Sequence, residues 1–232
     1  MRIEEALWIG QALARHLTGG QPAAGRAVIN LGSGSRRARE VNKPHVHAHT
    51  IRPLEQAGFG VVHSDLVPAD GVDVAGDLFD PALQARLRAL DASLVMFCNV
   101  LEHLPASRLP EVPDALDAVV PPGALLLLAA PHSYPYHPDP IDNMSRPDPD
   151  QLAALLPDWE VVDRTLVSAE GYGPEFRRGS LWKRARKLAR LLFPFVRPRR
   201  WLSHAHRMLW LRRPYLHALV LLRKPLAGAP GR

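Results

Sequence analysis

The sequence predicts an α/β domain: seven candidate strands in a parallel sheet with helices on both faces. Three observations carry this expectation. Short runs at 27–31, 94–98 and 125–129 are almost continuously apolar, as strands buried on both sides must be. Segments with helical spacing and their own start signals separate the strands, an alternation that implies parallel pairing. A glycine turn closes the first run, and aspartates follow the next two candidate strands.

Each element follows in order. Ile3, Leu7, Gly10, Ala14 and Leu17 fall on one side of an opening amphipathic helix, which Gly19, Gly20 and Pro22 stop. Residues 27–31 (AVINL) form the first strand. Residues 36–49 read as a long basic loop. In it, His45, His47 and His49 would share one face of an extended stretch, but with no nearby cysteine or clear fourth ligand no metal site is assigned. A short helix at 50–57 closes at Gly58, and strands follow at 61–63 and 72–75. Asp80 and Pro81 supply an N-cap and a first-turn proline for a helix striped by Leu83, Leu87 and Leu90. After the strand at 94–98, a proline-punctuated helix at 109–119 ends at Pro121-Pro122-Gly123, before the strand at 125–129. Asp148-Pro149 opens a helix reaching 156, a strand lies near 159–167, and residues 216–222 form the last. The expected units are a core with its N-terminal helix at 1–170, a basic helical insertion at 171–215, and a final strand and tail at 216–232.

Composition narrows the function classes. With 232 residues, 47% hydrophobic and 22% charged, the chain suits one domain with an elaboration. The single Cys98 excludes an internal disulfide framework and any multi-cysteine metal site, and it reads as a buried strand residue. Glu4 and Glu5 stand where a secretory signal needs a basic start, and no run approaches the ~18 apolar residues of a membrane span. The expected setting is the cytoplasm. Charge is unevenly placed: residues 1–175 carry 13 basic and 23 acidic side chains, net −10, whereas residues 176–232 carry 16 basic and no acidic ones, net +16. Such asymmetry usually reports a polyanionic partner.

The segment Asn30-Leu31-Gly32-Ser33-Gly34-Ser35 sits where the first strand meets a loop, and its glycines admit close approach of backbone to a ligand. It lacks the third glycine of a dinucleotide fingerprint, which is Arg37, and the Gly-Lys-Ser/Thr ending of a P-loop. Asp65, past the second strand, has the acceptors for a ribose diol. Asp77, in Val74-Ala75-Gly76-Asp77-Leu78, is placed to receive an adenine amino group. The fourth strand runs into Cys98-Asn99-Val100-Leu101-Glu102-His103-Leu104.

In order and spacing this series resembles the class I S-adenosylmethionine-dependent methyltransferases over about residues 27–167, with 216–222 as the antiparallel seventh strand. The resemblance implies S-adenosylmethionine as cofactor. Asn30, Gly32, Ser33 and Gly34 would lie against its methionine portion, Asp65 would hold the ribose, Asp77 and Leu78 would meet the adenine, and Asn99 would lie near the transferred methyl. Asn30 replaces the usual acidic residue, and Arg36 stands where a third glycine is usual; an Asn30 amide can still bond an ammonium group.

Two further segments bear on the acceptor. Residues 131–147, rich in proline, follow the fifth strand and should overhang the same sheet edge. There His137 or His132 could take a proton from a hydroxyl acceptor, with Asp142 orienting the base; alternatively Asp142 and Arg146 simply pair. His103 reads as a base or as a packed residue at a helix start. On a helix from Leu181, the apolar residues Leu181, Trp182, Ala185, Leu188, Ala189, Leu192 and Phe193 oppose Lys183, Arg184, Arg186, Lys187 and Arg190; only Leu191 breaks the separation. That pattern fits an interfacial helix on the inner face of an anionic membrane, a helix packed on the core, or a nucleic-acid-binding arm. The expected acceptor is a small molecule, with a sugar- or lipid-linked one favoured by the resemblance. The rivals are a nucleic-acid methyltransferase and a non-catalytic membrane-docked binding protein.

Overall fold

A computed structural model describes residues 1–18, 26–196 and 198–226. Its seven strands are β1 (Ala27–Leu31), β2 (Gly60–Asp65), β3 (Val74–Ala75), β4 (Leu94–Cys98), β5 (Leu125–Ser133), β6 (Glu160–Ala169) and β7 (Tyr215–Arg223). They form one sheet in the order β3-β2-β1-β4-β5-β7-β6. The pairs β1–β2, β2–β3, β1–β4 and β4–β5 are parallel, and β7 lies antiparallel between β5 and β6.

The strands divide their side chains between two cores with the period of two that a pleat imposes. Ile29, Val95, Phe97, Leu126 and Leu128 face one layer. It is built from α4 (Pro81–Arg88), α5 (Val112–Val119) and α6 (Pro149–Ala153), through Leu83, Leu87, Leu116, Val119 and Leu152. Val28, Leu94, Met96, Leu125 and Leu127 face the other, which is covered by α1 (Ile3–Leu13) and by α3 (Arg52–Gln56) with Ile51 of the preceding turn, while α2 (Pro44–Val46) lies outside this core. The predicted caps are present. The Asp80 carboxylate accepts from the Ala82 N–H at 3.0 Å, and Asp148 and Gln151 form a reciprocal capping box.

Two expectations need correction. On α1, Ile3 and Leu7 are exposed, and the buried face consists of Glu5, Ala6, Ile9, Ala12 and Leu13. Gly10 faces inward because a Cβ there would meet the His49 carbonyl oxygen at 2.3 Å, so no side chain fits. The expected loop at 36–49 is largely helical: wide turns at Ala38–Asn42 and His47–Ile51 flank α2 and run into α3. His45, His47 and His49 therefore do not share an extended face. The breaks at Gly19, Gly20 and Pro22 lie outside the described residues.

Between β6 and β7 lie α7 (Tyr172–Arg178), α8 (Leu181–Ala189) and α9 (Pro198–Met208). The Trp201 indole N–H donates to the Leu191 carbonyl and His204 Nε2 to that of Lys187, both at 2.9 Å, tying α9 to the α8 end. Beneath them Tyr172, Trp210 and Tyr215 bury one another with Ala169. Among the described residues no helix is long and apolar enough to cross a membrane.

Candidate active site

The carboxyl ends of β1, β2, β4 and β5 open onto one edge of the sheet, where ligands of open α/β sheets bind. Gly32 and Gly34 there adopt φ of 65° and 64°, the left-handed region glycine tolerates. The Gly34 N–H donates to Asp65 Oδ2 at 2.7 Å, joining the first two strand ends. Below them, the Asn30 amide donates to His63 Nδ1 at 3.2 Å. Burial, with Arg39 nearby, lowers His63 to about 4, so its ring is neutral. Ser33 is buried and directs its hydroxyl to the Gly34 carbonyl.

Arg39 went unnoticed in the sequence. Its guanidinium is buried, donating to the Gly34 carbonyl at 2.5 Å and the Gly71 carbonyl at 2.8 Å, and so fixes the turn from behind. It looked like one of several surface cations, and only its six-residue distance from Ser33 could have flagged it.

Asp77 follows β3, accepting the Phe79 N–H at 3.0 Å and lying 3.8 Å from Arg108, whose guanidinium stacks over the Phe79 ring. Leu78 packs its side chain partly into the core. Asn99, at the end of β4, has φ 56° and donates its amide to Glu5 Oε2 at 3.0 Å. Glu5 is fully buried and also lies 3.3 Å from His217 Nδ1. Burial alone would raise the Glu5 carboxyl, but the Met1 ammonium, His217 and the Asn99 amide hold it below the ordinary range. Glu5 was missed because it read as the polar side of α1.

The loop after β5 is stapled to the turn after β4. The Asn143 amide donates to the Leu101 and Leu104 carbonyls at 2.8 and 2.9 Å. This brings His103 and His137 together edge to face, with ring centroids 5.2 Å apart. Asp142 lies beside both partners the sequence named: its Oδ2 accepts from the His137 backbone N–H at 2.9 Å and from Arg146 at 2.7 Å, and stands 3.1 Å from His137 Nδ1. Burial would raise Asp142, yet hydrogen bonds from Arg146, His137 N–H and Met144 N–H hold it at about 2. His137 Nδ1 faces only acceptors, Asp142 and the Pro135 carbonyl, so that nitrogen carries the proton and Nε2 keeps its lone pair. Burial lowers His137 to about 4. His132 instead donates to the Arg146 and Pro147 carbonyls at 3.2 Å, closing the loop at its base.

One group among the described residues offers a cation's donor set: ligand atoms of Glu102, His103 and His137 lie within 4.8 Å of one another. Glu102 is buried with its carboxyl raised by that burial, and its Oε2 has no hydrogen-bond partner. The 34-residue gap between His103 and His137 hid this cluster from any reading of spacing.

No protein-family model matches the chain, and neither does any curated protein. Solved structures do match along nearly its whole length. A protein of Galdieria sulphuraria provisionally named a sarcosine dimethylglycine methyltransferase superposes with TM-score 0.57 at 15% identity, covering 95% of this chain and 84% of that one. A SAM-dependent methyltransferase from Archaeoglobus fulgidus gives 0.50 at 13%, covering 94% of each. Coclaurine N-methyltransferase, bound to N-methylheliamine and S-adenosylhomocysteine, gives 0.50 at 14%, covering 95% and 71%. The chain has the class I methyltransferase fold. The antiparallel β7 between β5 and β6 belongs to that fold, as the resemblance implied. On the class I sheet, the Gly32–Gly34 turn, Asp65, Asn99 and the His137 loop all gather at one edge.

Proposed function

We propose that the protein transfers a methyl group from S-adenosylmethionine to a small, sugar- or lipid-linked acceptor. The observation that carries this is the Gly32–Gly34 turn, bonded to Asp65 and clamped by Arg39 at the carboxyl edge of a class I sheet. The donor set suits the cofactor. Asp65 spends one strong hydrogen bond on Gly34 and keeps acceptor capacity for a ribose diol. Asn30, Ser33 and the two glycines would border the methionine portion, Asp77 and Leu78 the adenine, and Asn99 the reacting end.

Bound there, S-adenosylmethionine supplies an electrophilic methyl on a sulfonium. The chain's part is alignment and proton removal. His137 Nε2 would accept the acceptor's proton, while the Pro135 carbonyl holds the ring at Nδ1 and Asp142, itself anchored by Arg146, holds the His137 backbone N–H and stands beside Nδ1. His132 would support that loop from below. Calorimetric titration with S-adenosylhomocysteine tests the reading: saturable binding by the parent and its loss in Gly34→Val are expected, and an affinity unchanged by that substitution sinks it.

A second reading concerns α8. Its apolar face is not packed on the core: Leu181 and Trp182 are 78% and 75% exposed, and Leu192 in the turn that follows is 74% exposed. This favours docking on an anionic membrane surface, with Lys and Arg beside the lipid headgroups. Retention by anionic but not neutral vesicles is expected; equal indifference to both would end this reading.

A further inference from the structure

A cavity of about 600 Å³ opens between α8 and α9, away from the Gly32–Gly34 turn. Arg186, Lys187, Arg190 and Arg207 line it, with Tyr172 as its floor and His204 on one wall. Among the described residues none of these four cations has a carboxylate partner in ion-pair range, and the sequence holds no acid after Glu175. Four like charges around one concavity repel each other unless an anion joins them. Two are held in place: the Lys187 ammonium lies 5.0 Å and the Arg207 guanidinium 5.9 Å from the centroid of the buried Tyr172 ring. His204 spends Nε2 on the Lys187 carbonyl, which further sets the wall.

We propose that this cavity binds a phosphoryl or diphosphoryl group. Planar guanidinium forks match phosphate oxygens in pairs, and three of the four cations are arginines. The volume exceeds what a diphosphate needs and falls in the range of small-ligand sites, leaving room for part of the attached molecule. The position also links it to the candidate active site. Tyr172 shares its apolar cluster with Tyr215, whose ring lies 4.5 Å from that of Tyr134, itself 4.8 Å from His137. His206 of α9 accepts the Tyr136 N–H at 3.1 Å. Resting on the methyl-transfer reading, the anion is then the charged end of the acceptor.

The test titrates the full chain with inorganic pyrophosphate at physiological salt. Saturable one-to-one binding is expected, weakened about tenfold or more in Arg186→Gln/Arg207→Gln, as loss of charge-assisted bonds implies. Arg212→Gln/Arg213→Gln, which removes as much charge outside the cavity lining, should bind like the parent. Melting curves show whether each variant is folded, and Lys187→Gln serves as the second probe if the double variant is not. Absence of saturation, or equal loss in the control, overturns the proposal. Vesicles of phosphatidylcholine with phosphatidic acid separate two sources of the group: release by pyrophosphate assigns a lipid headgroup, and pyrophosphate binding without vesicle retention assigns a soluble ligand. RNA retention that pyrophosphate does not compete, falling equally in both double variants, also counts against the cavity. S-adenosylhomocysteine affinity, measured alongside, is expected to be the same in all variants. Its absence in the parent would remove the methyl-transfer reading while leaving the anion site standing.

Discussion

The Gly32–Gly34 turn and the basic helices α8 and α9 are two polar regions built by opposite means. At the turn several polar groups are answered within the protein: Gly34 N–H by Asp65, its carbonyl by Arg39, the Asn30 amide by His63. Along α8 the charges have no acidic partner in ion-pair range among the described residues, and the apolar side chains stand in solvent. On the proposed function, the first region is preorganised for a ligand held by backbone, and the second keeps interaction capacity for one that brings its own charge or apolar surface. Substitutions should therefore act through geometry in one and through charge or exposed area in the other.

The largest expected effect is at the turn. Gly34→Val forces a β-branched residue into φ 64°, and S-adenosylhomocysteine binding should vanish by calorimetry. Next is His137→Ala, which should cut turnover ~100-fold or more with cofactor affinity little changed, once an acceptor is known. With its ring held at about 4, the rate should fall only as pH approaches that value; an acid limb centred near 6.5 would detach His137 from the chemistry. Asp65→Ala should weaken S-adenosylhomocysteine binding by ~1.5–3 kcal/mol, and calorimetry at unchanged affinity would disconnect the β2 end from the ligand.

A stability effect follows in size. His63, His137 and His217 are each lowered from 6.5 to about 4, chiefly by burial. The unfolded chain takes up protons in that window that the folded chain refuses. Stability present above pH 6.5 is therefore lost as pH falls through it toward 4. Melting temperatures should decline over that interval and decline less in His217→Asn. The smallest effect sharpens the contrast: Trp182→Ser/Phe193→Ser should shift stability by only ~0.5 kcal/mol per site, because both side chains are exposed, while vesicle retention drops. A large fall in melting temperature would mean that α8 packs after all.

What was legible in the sequence follows from the same contrast. Strands buried on both faces announce themselves by composition, and the helix starts at Asp80 and Asp148 by their caps. Residues 36–49 did not, because wide turns there join short helical pieces and spread basic and β-branched residues through them. The face of α1 was misassigned because its buried side includes a carboxylate, Glu5, whose partners, Asn99 and His217, come from distant segments. At the site, Gly32, Gly34 and Asp65 followed from position relative to strands. Arg39 and the meeting of Glu102, His103 and His137 depend on tertiary contact and leave no periodic trace.

The register of β6 on β7 has one more consequence. Ala169 and Tyr215, the last residue of one strand and the first of the next, are direct partners across the pair, so their Cα atoms lie about 5 Å apart. The whole helical segment between them is thus an excursion that leaves and re-enters the sheet at a single point. A tight hairpin turn could close the same gap without rethreading any strand. Such a segment can lengthen, shrink or be exchanged as a unit while the sheet keeps its connectivity.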